Sequence, residues 1–417
     1  MQTDFSAEFL NTAEGERANE ILRSCVHCGF CNATCPTYQV TGDELDGPRG
    51  RIYLMRELLA TGDNEKRAQR HLDRCLTCRA CETTCPSGVQ YSELLEISRI
   101  ELGPRRSGLN GLLARLLAWM VPEVERLRHM TRLGLVFRGL LPRRLAKLVP
   151  DQVGQGVVST TGHARQVLLL NGCAQQVSTP ETNRNLQALL AKLGIGTLVL
   201  DDEGCCGSLD IHAGDETQAL ARMRANIDRI APHLAEVEAI ISSASGCGLT
   251  IKDWGRLLAS DDEYASLAAE VSSKVVDVAE FVAGEVEEAD EAGEVGEADE
   301  AGGAEKGAFE RAVDAHTVAW HAPCTLQHGQ RITGVVERLL TTAGYELVPV
   351  QDAHLCCGSA GTYSALQPQL ADELAMRKVA SLTAATPDII ATANVGCQSH
   401  LANNSSTPVV HWIELLK

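Results

Sequence analysis

Twelve residues, Cys25-Val26-His27-Cys28-Gly29-Phe30-Cys31-Asn32-Ala33-Thr34-Cys35-Pro36, return fifty positions later as Cys75-Leu76-Thr77-Cys78-Arg79-Ala80-Cys81-Glu82-Thr83-Thr84-Cys85-Pro86. Both copies read C-x2-C-x2-C-x3-C-P, the run whose fourth cysteine ligates the neighbouring cluster in proteins that hold two [4Fe-4S] clusters. Three thiolates at three-residue steps fit one tight loop around a cubane, and the fourth opens the next segment and points away. The spacing therefore groups Cys25, Cys28, Cys31 and Cys85 around one cluster, and Cys75, Cys78, Cys81 and Cys35 around the other. The proline after each fourth cysteine fixes φ and ends the loop. Zinc ribbons instead use paired C-x2-C knuckles with four ligands per metal. Disulfides need an oxidising compartment, and the polar, acidic start Met1-Gln2-Thr3-Asp4-Phe5-Ser6 has no secretory character. Reducing cytoplasm is the expected setting.

The chain has 417 residues, room for two or three domains with sizeable cores. Its formal net charge is −18, which argues against a nucleic-acid partner. Half of that charge is local, since Glu285 to Glu300 holds nine acids and no base. No apolar run approaches the roughly 18 residues that span a bilayer, so any membrane association is expected to be peripheral or through a partner.

Glu8 to Ser24 and Arg51 to Ala60 carry helical spacing, with a turn-rich stretch from Gly42 to Gly50 between them. This makes the first part a helical two-cluster ferredoxin. Arg49, Arg51, Arg74 and Arg79 are candidates to stabilise reduced, more negative clusters, or are ordinary solvated charges. From Arg105 to Pro150 ten basic and two acidic residues alternate with apolar ones. Such a segment can lie on an anionic membrane or dock on a partner, and Pro122, Pro142 and Pro150, which cut it into short helices, favour packing or docking. Gly154 to Gly162 reads as a linker.

Beyond it the pattern is α/β. Short apolar strands at Gln166–Leu170, Thr197–Leu200 and Ala239–Ser243 end near Cys173, Cys205-Cys206-Gly207 and Cys247, with helices at Thr182–Leu193 and Thr217–Ile230 between them. The same order returns at Thr317–Trp320, Tyr345–Val350 and Asp388–Thr392, followed by Cys324, Cys356-Cys357-Gly358 and Cys397. The first cysteine and the first of the pair are 32 positions apart in both copies; from the pair to the last cysteine is 41 in one and 40 in the other. This is an internal duplication, and its cysteines are expected past the carboxyl ends of parallel strands, where such sheets bind ligands. Each foursome, Cys173, Cys205, Cys206 and Cys247 or Cys324, Cys356, Cys357 and Cys397, can hold a metal centre or act as thiols that pack or shuttle electrons. Gly207 and Gly358 allow close approach or positive φ. His321, His354 and His400 lie near the second group only.

The expected architecture is α+β overall. An all-helical two-cluster ferredoxin domain covers 1–104 and a basic helical connector and linker 105–162. A duplicated α/β Cys-rich domain with short parallel sheets comes next, with repeats at 163–284 and 311–417 joined by an acidic disordered insert at 285–310.

With these motifs in place, HCGFCNATCPTYQVTGDELDGPRGRIYL, RCLTCRACETTCPSGV, PCTLQH and HLCCGSAGTY resemble the iron-sulfur subunits of glycolate oxidase (glycolate dehydrogenase) over nearly the whole chain, the acidic insert being the clearest departure. The resemblance implies an electron-transfer subunit that relays electrons from FAD-binding partner subunits to quinone or another acceptor as glycolate becomes glyoxylate. It implies two [4Fe-4S] clusters and a cytoplasmic location, with peripheral association to the inner membrane as a variant. Subunits of lactate or glycerol-3-phosphate dehydrogenases and heterodisulfide-type reductases share the layout. In the last of these the repeat ends in C-x-x-C and holds an unusual [4Fe-4S] centre. Here Cys247 is followed by Gly248-Leu249-Thr250 and Cys397 by Gln398-Ser399-His400, so one thiolate per repeat is missing. The four remaining sulfurs suit an iron-sulfur or zinc centre, and His400 is the stand-in ligand this reading selects.

Overall fold

The computed structural model describes residues 1–104, 106–142, 146, 147, 149–291 and 309–417. Helices build the first hundred residues. The helix expected from Glu8 to Ser24 is two, because Ser6 caps Ala7–Leu10 and Thr12 Oγ1 accepts from Gly15 N at 3.0 Å to start Ala13–Ser24. Pro48–Thr61 begins on proline, whose missing N–H costs nothing in a first turn, and stops at Gly62 in the left-handed region. Ile21 and Leu22, Ile52 and Met55, Leu72, Leu94 and Leu95 face inward from four helices and form one core.

The basic segment folds as helices Gly108–Met120 and Val124–Val136. They are tied to the first repeat by Arg222–Glu123 at 2.9 Å, yet Leu109, Leu112, Leu116, Trp119, Leu133 and Val136 stay exposed. The stretch read as a linker is held against the outer edge of a sheet: Thr160 N donates to Thr197 O at 2.8 Å and Val199 N to Ser159 Oγ at 2.9 Å.

Each repeat is a four-stranded parallel sheet. In the first, β1 (Arg165–Leu169), β2 (Ile195–Leu198), β3 (Ile240–Ser242) and β4 (Val275–Asp277) lie in the order β2-β1-β3-β4. In the second, β5 (Thr317–Trp320), β6 (Glu346–Leu347), β7 (Ile389–Thr392) and β8 (Val409–His411) repeat it as β6-β5-β7-β8. Sequence spacing misses β4 and β8, since each shows only a pair of valines before a polar residue, Val275-Val276-Asp277 and Val409-Val410-His411, too short an apolar run to mark a strand. They form because β3 and β7 offer a free edge, in the registers Ile240↔Val275 and Ile390↔Val409.

The segments after β4 and β8 lock the repeats together. Helix Val278–Glu291 packs on Val335–Thr342 of the second repeat, and the turn Trp412–Leu415 packs on Pro180–Lys192 of the first. Val167, Leu186, Leu190, Val318, Trp320, Trp412 and Leu415 therefore belong to one core. Polar bonds cross the same seam: His411 Nε2 lies 2.9 Å from Ser243 O, and Gln330 Nε2 donates to Asp277 Oδ2 at 3.1 Å. The expectation that 285–310 is disordered is corrected at its start. Residues 285–291 continue the helix, and Glu285 and Glu238 both pair with Arg165, opposite charge offsetting the acidic run. Residues 292–308 of the insert lie outside the described residues, and its end is corrected as well, since Phe309 is buried in the shared core and Glu310 N donates to Lys417 O at 3.1 Å.

Because Trp412 is fully buried in the shared core, Trp412→Ala should cost about 3–5 kcal/mol. In urea titrations both repeats should unfold in one transition, and two well-separated transitions would contradict the shared core.

Candidate functional site

Both ferredoxin-type loops curl the same way. His27 and Gly29 have φ of 59° and 87°, and their counterparts Thr77 and Arg79 have 54° and 59°. Left-handed residues at alternate positions wind the loop so that its cysteines face one centre. Glycine meets that need at Gly29, whereas Arg79 holds the conformation with a side chain, a strain of about 1–2 kcal/mol that concentrates at such sites. Its guanidinium is anchored on Asp253 of the first repeat at 2.9 Å.

Cys25, Cys28, Cys31 and Cys85 line one cavity, and Cys35, Cys75, Cys78 and Cys81 a second. Cys81 and Tyr91 stand in the wall between them and line both. Burial pushes the Cys31 thiol up to about 11, and Cys25, Cys85 and Cys28 beside it push the same way. Cys78 and Cys81 are held well above the ordinary thiol range, again chiefly by burial. Sulfurs crowded in this way become thiolates only when a cation binds among them.

The four arginines divide. Arg51 is fully buried, donating to His71 O at 2.8 Å and Thr37 Oγ1 at 3.1 Å, with Cys35 Sγ at 3.9 Å. Asp46 beside it is also buried and bonds His71 Nδ1 at 2.7 Å and Arg74 at 2.8 Å. Arg49 pairs with Glu44 at the surface. Arg51 and Arg79 both line the second cavity; Arg79 is held by Asp253, and the fully buried Arg51 acts on it through a low-dielectric interior.

In the repeats every cysteine sits past the carboxyl end of a parallel strand. Cys173 follows β1, Cys205 and Cys206 follow β2, and Cys247 lies in the first turn of Ser245–Lys252 after β3. Cys173, Cys205 and Cys206 are buried in one cluster against which Cys247 packs, so the four converge, with Cys205 flanked by Cys173 and Cys206. Those contacts hold Cys205 well below the ordinary thiol range and leave Cys173 and Cys206 protonated. Glu203 closes the site by accepting from Asn171 N at 2.6 Å and Gly172 N at 3.0 Å, and burial pushes its carboxyl up to about 7.

The second repeat copies this. Cys324 Sγ lies 3.8 Å from Cys356 Sγ, Cys357 packs with Cys397 in one buried cluster, and Cys397 lies in Val395–Ala402 after β7. The stand-in imidazole expected at His400 is corrected: His400 Nε2 faces Ala371 O at 3.2 Å. A ring nitrogen of His321 instead groups with the Cys357 and Cys397 sulfurs, all within 4.8 Å of one another. His321 ends β5 next to β7, whereas His400 is one helical turn past Cys397 and rotated toward Pro368–Thr383. Burial pushes the His321 imidazole down to about 3, so it is neutral.

The two sites relate differently to the helical part. Leu76 and Cys78 pack with Cys324, Cys356 and Tyr363 in one apolar cluster, so the second cavity abuts the second repeat directly. Tyr363 O–H donates to Arg74 O at 3.1 Å, and His328 links Thr83 Oγ1 at 2.9 Å to His354 O at 2.8 Å. The first repeat meets the same part through ion pairs, Arg79–Asp253 and Arg256–Glu96, both at 2.9 Å. Sequence reasoning misses Tyr363 and His328, although Tyr363 closes the HLCCGSAGTY stretch.

Residues 21–89 match the 4Fe-4S dicluster domain family, and residues 167–252 and 318–402 match the cysteine-rich domain family. The chain is 43% identical to the glycolate oxidase iron-sulfur subunit of Escherichia coli K12, over 100% of this chain and 98% of that protein. It is 28% identical to the probable glycolate oxidase iron-sulfur subunit of Bacillus subtilis 168, over 95% and 92%. A hypothetical protein from Helicobacter pylori shares the fold at a TM-score of 0.50 and 12% identity, over 97% of this chain and 72% of that one.

Two variants test the geometry. Arg51→Met leaves His71 O and Thr37 Oγ1 without their buried donor, while Asp46 keeps His71 and Arg74, and should cost about 1–3 kcal/mol in urea unfolding. Gly358, at φ +94°, would place a Cβ 2.8 Å from Ala371 O, while at Gly207 the closest atom is the flexible tip of Met223 at 3.0 Å. Gly358→Ala should therefore lower the melting temperature more than Gly207→Ala; equal effects would show that the backbone contact is absorbed.

Proposed function

Since the chain belongs to the family of glycolate oxidase iron-sulfur subunits, we propose that it is the electron-transfer subunit of a glycolate dehydrogenase complex, relaying electrons from an FAD-binding partner to quinone or another acceptor. Cys25, Cys28, Cys31 and Cys85 would hold one [4Fe-4S] cluster, and Cys75, Cys78, Cys81 and Cys35 the other. Such clusters, when bound, take up and release electrons one at a time. The observation that carries the reading is the crossed grouping: Cys85 lines the cavity of the first run and Cys35 that of the second. The wall that Cys81 and Tyr91 share keeps the two cavities adjacent, as a relay needs.

Beyond the second cavity the route of shortest contact runs through Leu76 and Cys78 to Cys324 and Cys356. The Cys-Cys-Gly sites would hold an additional iron-sulfur or zinc centre. Docking of a partner subunit is supported by the exposed apolar row Leu109, Leu112, Leu116 and Trp119. Among the described residues no helix is long and apolar enough to cross a membrane. The reducing chemistry of sixteen cysteines, all free, suits a cytoplasmic protein.

Replacing Cys28 or Cys78 by Ser in the full complex should remove one cluster signal from low-temperature EPR of the reduced protein. It should also abolish glycolate-dependent dye reduction, and retained turnover would contradict the relay. Iron and acid-labile sulfide of about eight each per chain would account for the two cubanes.

A further inference from the structure

The two cluster cavities differ in the charge around them. Arg51 and Arg79 line the second, and Arg99 supports its loop, donating to Thr77 Oγ1 at 3.0 Å, Leu72 O at 2.8 Å and Cys75 O at 2.9 Å. Arg99 is 5% exposed, its Nε has no hydrogen-bond partner, and among the described residues no carboxylate pairs with it. Arg79 is balanced by Asp253 and Arg256 by Glu96, whereas Arg51 and Arg74 share the single carboxylate of Asp46. Counting Glu82 as well, which accepts from Ser92 N at 2.5 Å, Arg51, Arg74 and Arg99 outnumber Asp46 and Glu82. A buried cation without its own counter-ion is costly, and a cubane held by four thiolates, itself an anion, supplies the missing charge for Arg51 and Arg99.

No such excess surrounds the first cavity. Arg49 lines it from the surface and is paired with Glu44 at 2.6 Å. His27 beside it is neutral, since burial and then Arg49 lower its imidazole. The sulfurs differ in the same sense. Cys75 Sγ accepts from Thr77 N at 3.5 Å and Tyr91 O–H at 3.7 Å, and Cys35 Sγ from Arg51 at 3.9 Å. Among the described residues no side-chain donor reaches a sulfur of Cys25, Cys28, Cys31 or Cys85. Net charge, hydrogen bonds to sulfur and solvent exposure set the potential of a four-iron cluster. Each donor or cation favours the reduced, more negative form. Exposure of Cys28 to water works for the first cavity, and burial works against the second. The charges decide, because a cation a few ångströms away acts about four times more strongly at an interior dielectric of about 20 than in water.

We propose that Arg51 and Arg99, aided by the Tyr91 hydroxyl, give the second cavity the higher reduction potential of the two, so that electrons received at the first run collect at the second, beside the second repeat. Each transfer moves one electron, oxidising the first cubane and reducing the second, with no bond made or broken. Arg99 touches no sulfur and acts through its charge and its hold on the Cys75 loop. This gives the relay a direction and rests on the two-cluster proposal above.

The test is a redox titration of the purified full-length chain with both clusters, followed by low-temperature EPR. The wild type should be reduced in two separate one-electron steps. Cys78→Ser should alter the signal of the higher-potential step and Cys28→Ser that of the lower. Arg99→Met should weaken electron uptake in the higher step at least tenfold, about 59 mV for one electron, and leave the lower step nearly unchanged. Arg99→Lys, which keeps the charge, should retain most of the wild-type potential. If Arg99→Met fails to fold, Tyr91→Phe decides, because it removes one donor from the Cys75 sulfur, keeps the ring and should lower the same step alone. Coincident steps, the reverse order, equal shifts in Arg99→Met and Arg99→Lys, or a shift that falls on the first cluster would each overturn the proposal. Two cubane signals in the reverse order sink this inference and leave the relay standing, whereas cubane signals that survive Cys28→Ser and Cys78→Ser sink the relay.

Discussion

The crossing of one cysteine from each run into the cavity of the other is the constraint on which the helical part is built. Cys35 and Cys85 can reach across only if the loops lie back to back, with Cys81 and Tyr91 in the wall between them. The left-handed residues at His27, Gly29, Thr77 and Arg79 wind both loops in the same way. The charge of the buried Arg51 lies beside Cys35, and Arg51 shares Asp46 with Arg74. A cationic side chain withdrawn from water is costly by itself, and it persists here because carbonyl, hydroxyl and carboxylate oxygens surround it.

The repeats solve a different problem. A four-stranded parallel sheet needs both faces covered, and neither repeat does this alone. Each packs the segment after its last strand on a helix of the other. The exchange produces one core in which Trp412 and Leu186 belong to different repeats. A pseudo-symmetric scaffold of this kind lets the two cysteine sites diverge without disturbing the fold. His321 and Lys378 replace Leu170 and Ile227, and the second site packs on the loop that carries Leu76 and Cys78.

Much of this was legible before any coordinates. The C-x2-C-x2-C-x3-C-P runs carry their chemistry in spacing, and the duplication shows in the near-equal intervals between cysteines. Strands β1, β3, β5 and β7 are apolar runs long enough to recognise, and positive φ at Gly207 and Gly358 follows from the Gly after each pair. The edge strands β4 and β8 were not legible, because each is a lone pair of valines before a polar residue, whereas β3, equally short, is marked by the longer apolar run Ala239-Ile240-Ile241. Nor was the identity of the histidine beside Cys397, for closeness in sequence favours His400, three residues away, over His321, seventy-six residues away.

The sequence by itself determined the number and grouping of the sulfur ligands, the repeat and the family, because these depend on residue type and local spacing. Only the tertiary structure decided which repeat meets the clusters, which arginine is buried and which imidazole turns inward. Those depend on how β5 and β7 lie side by side and how the loop around Cys78 packs against Cys324 and Cys356, contacts between residues far apart in the chain.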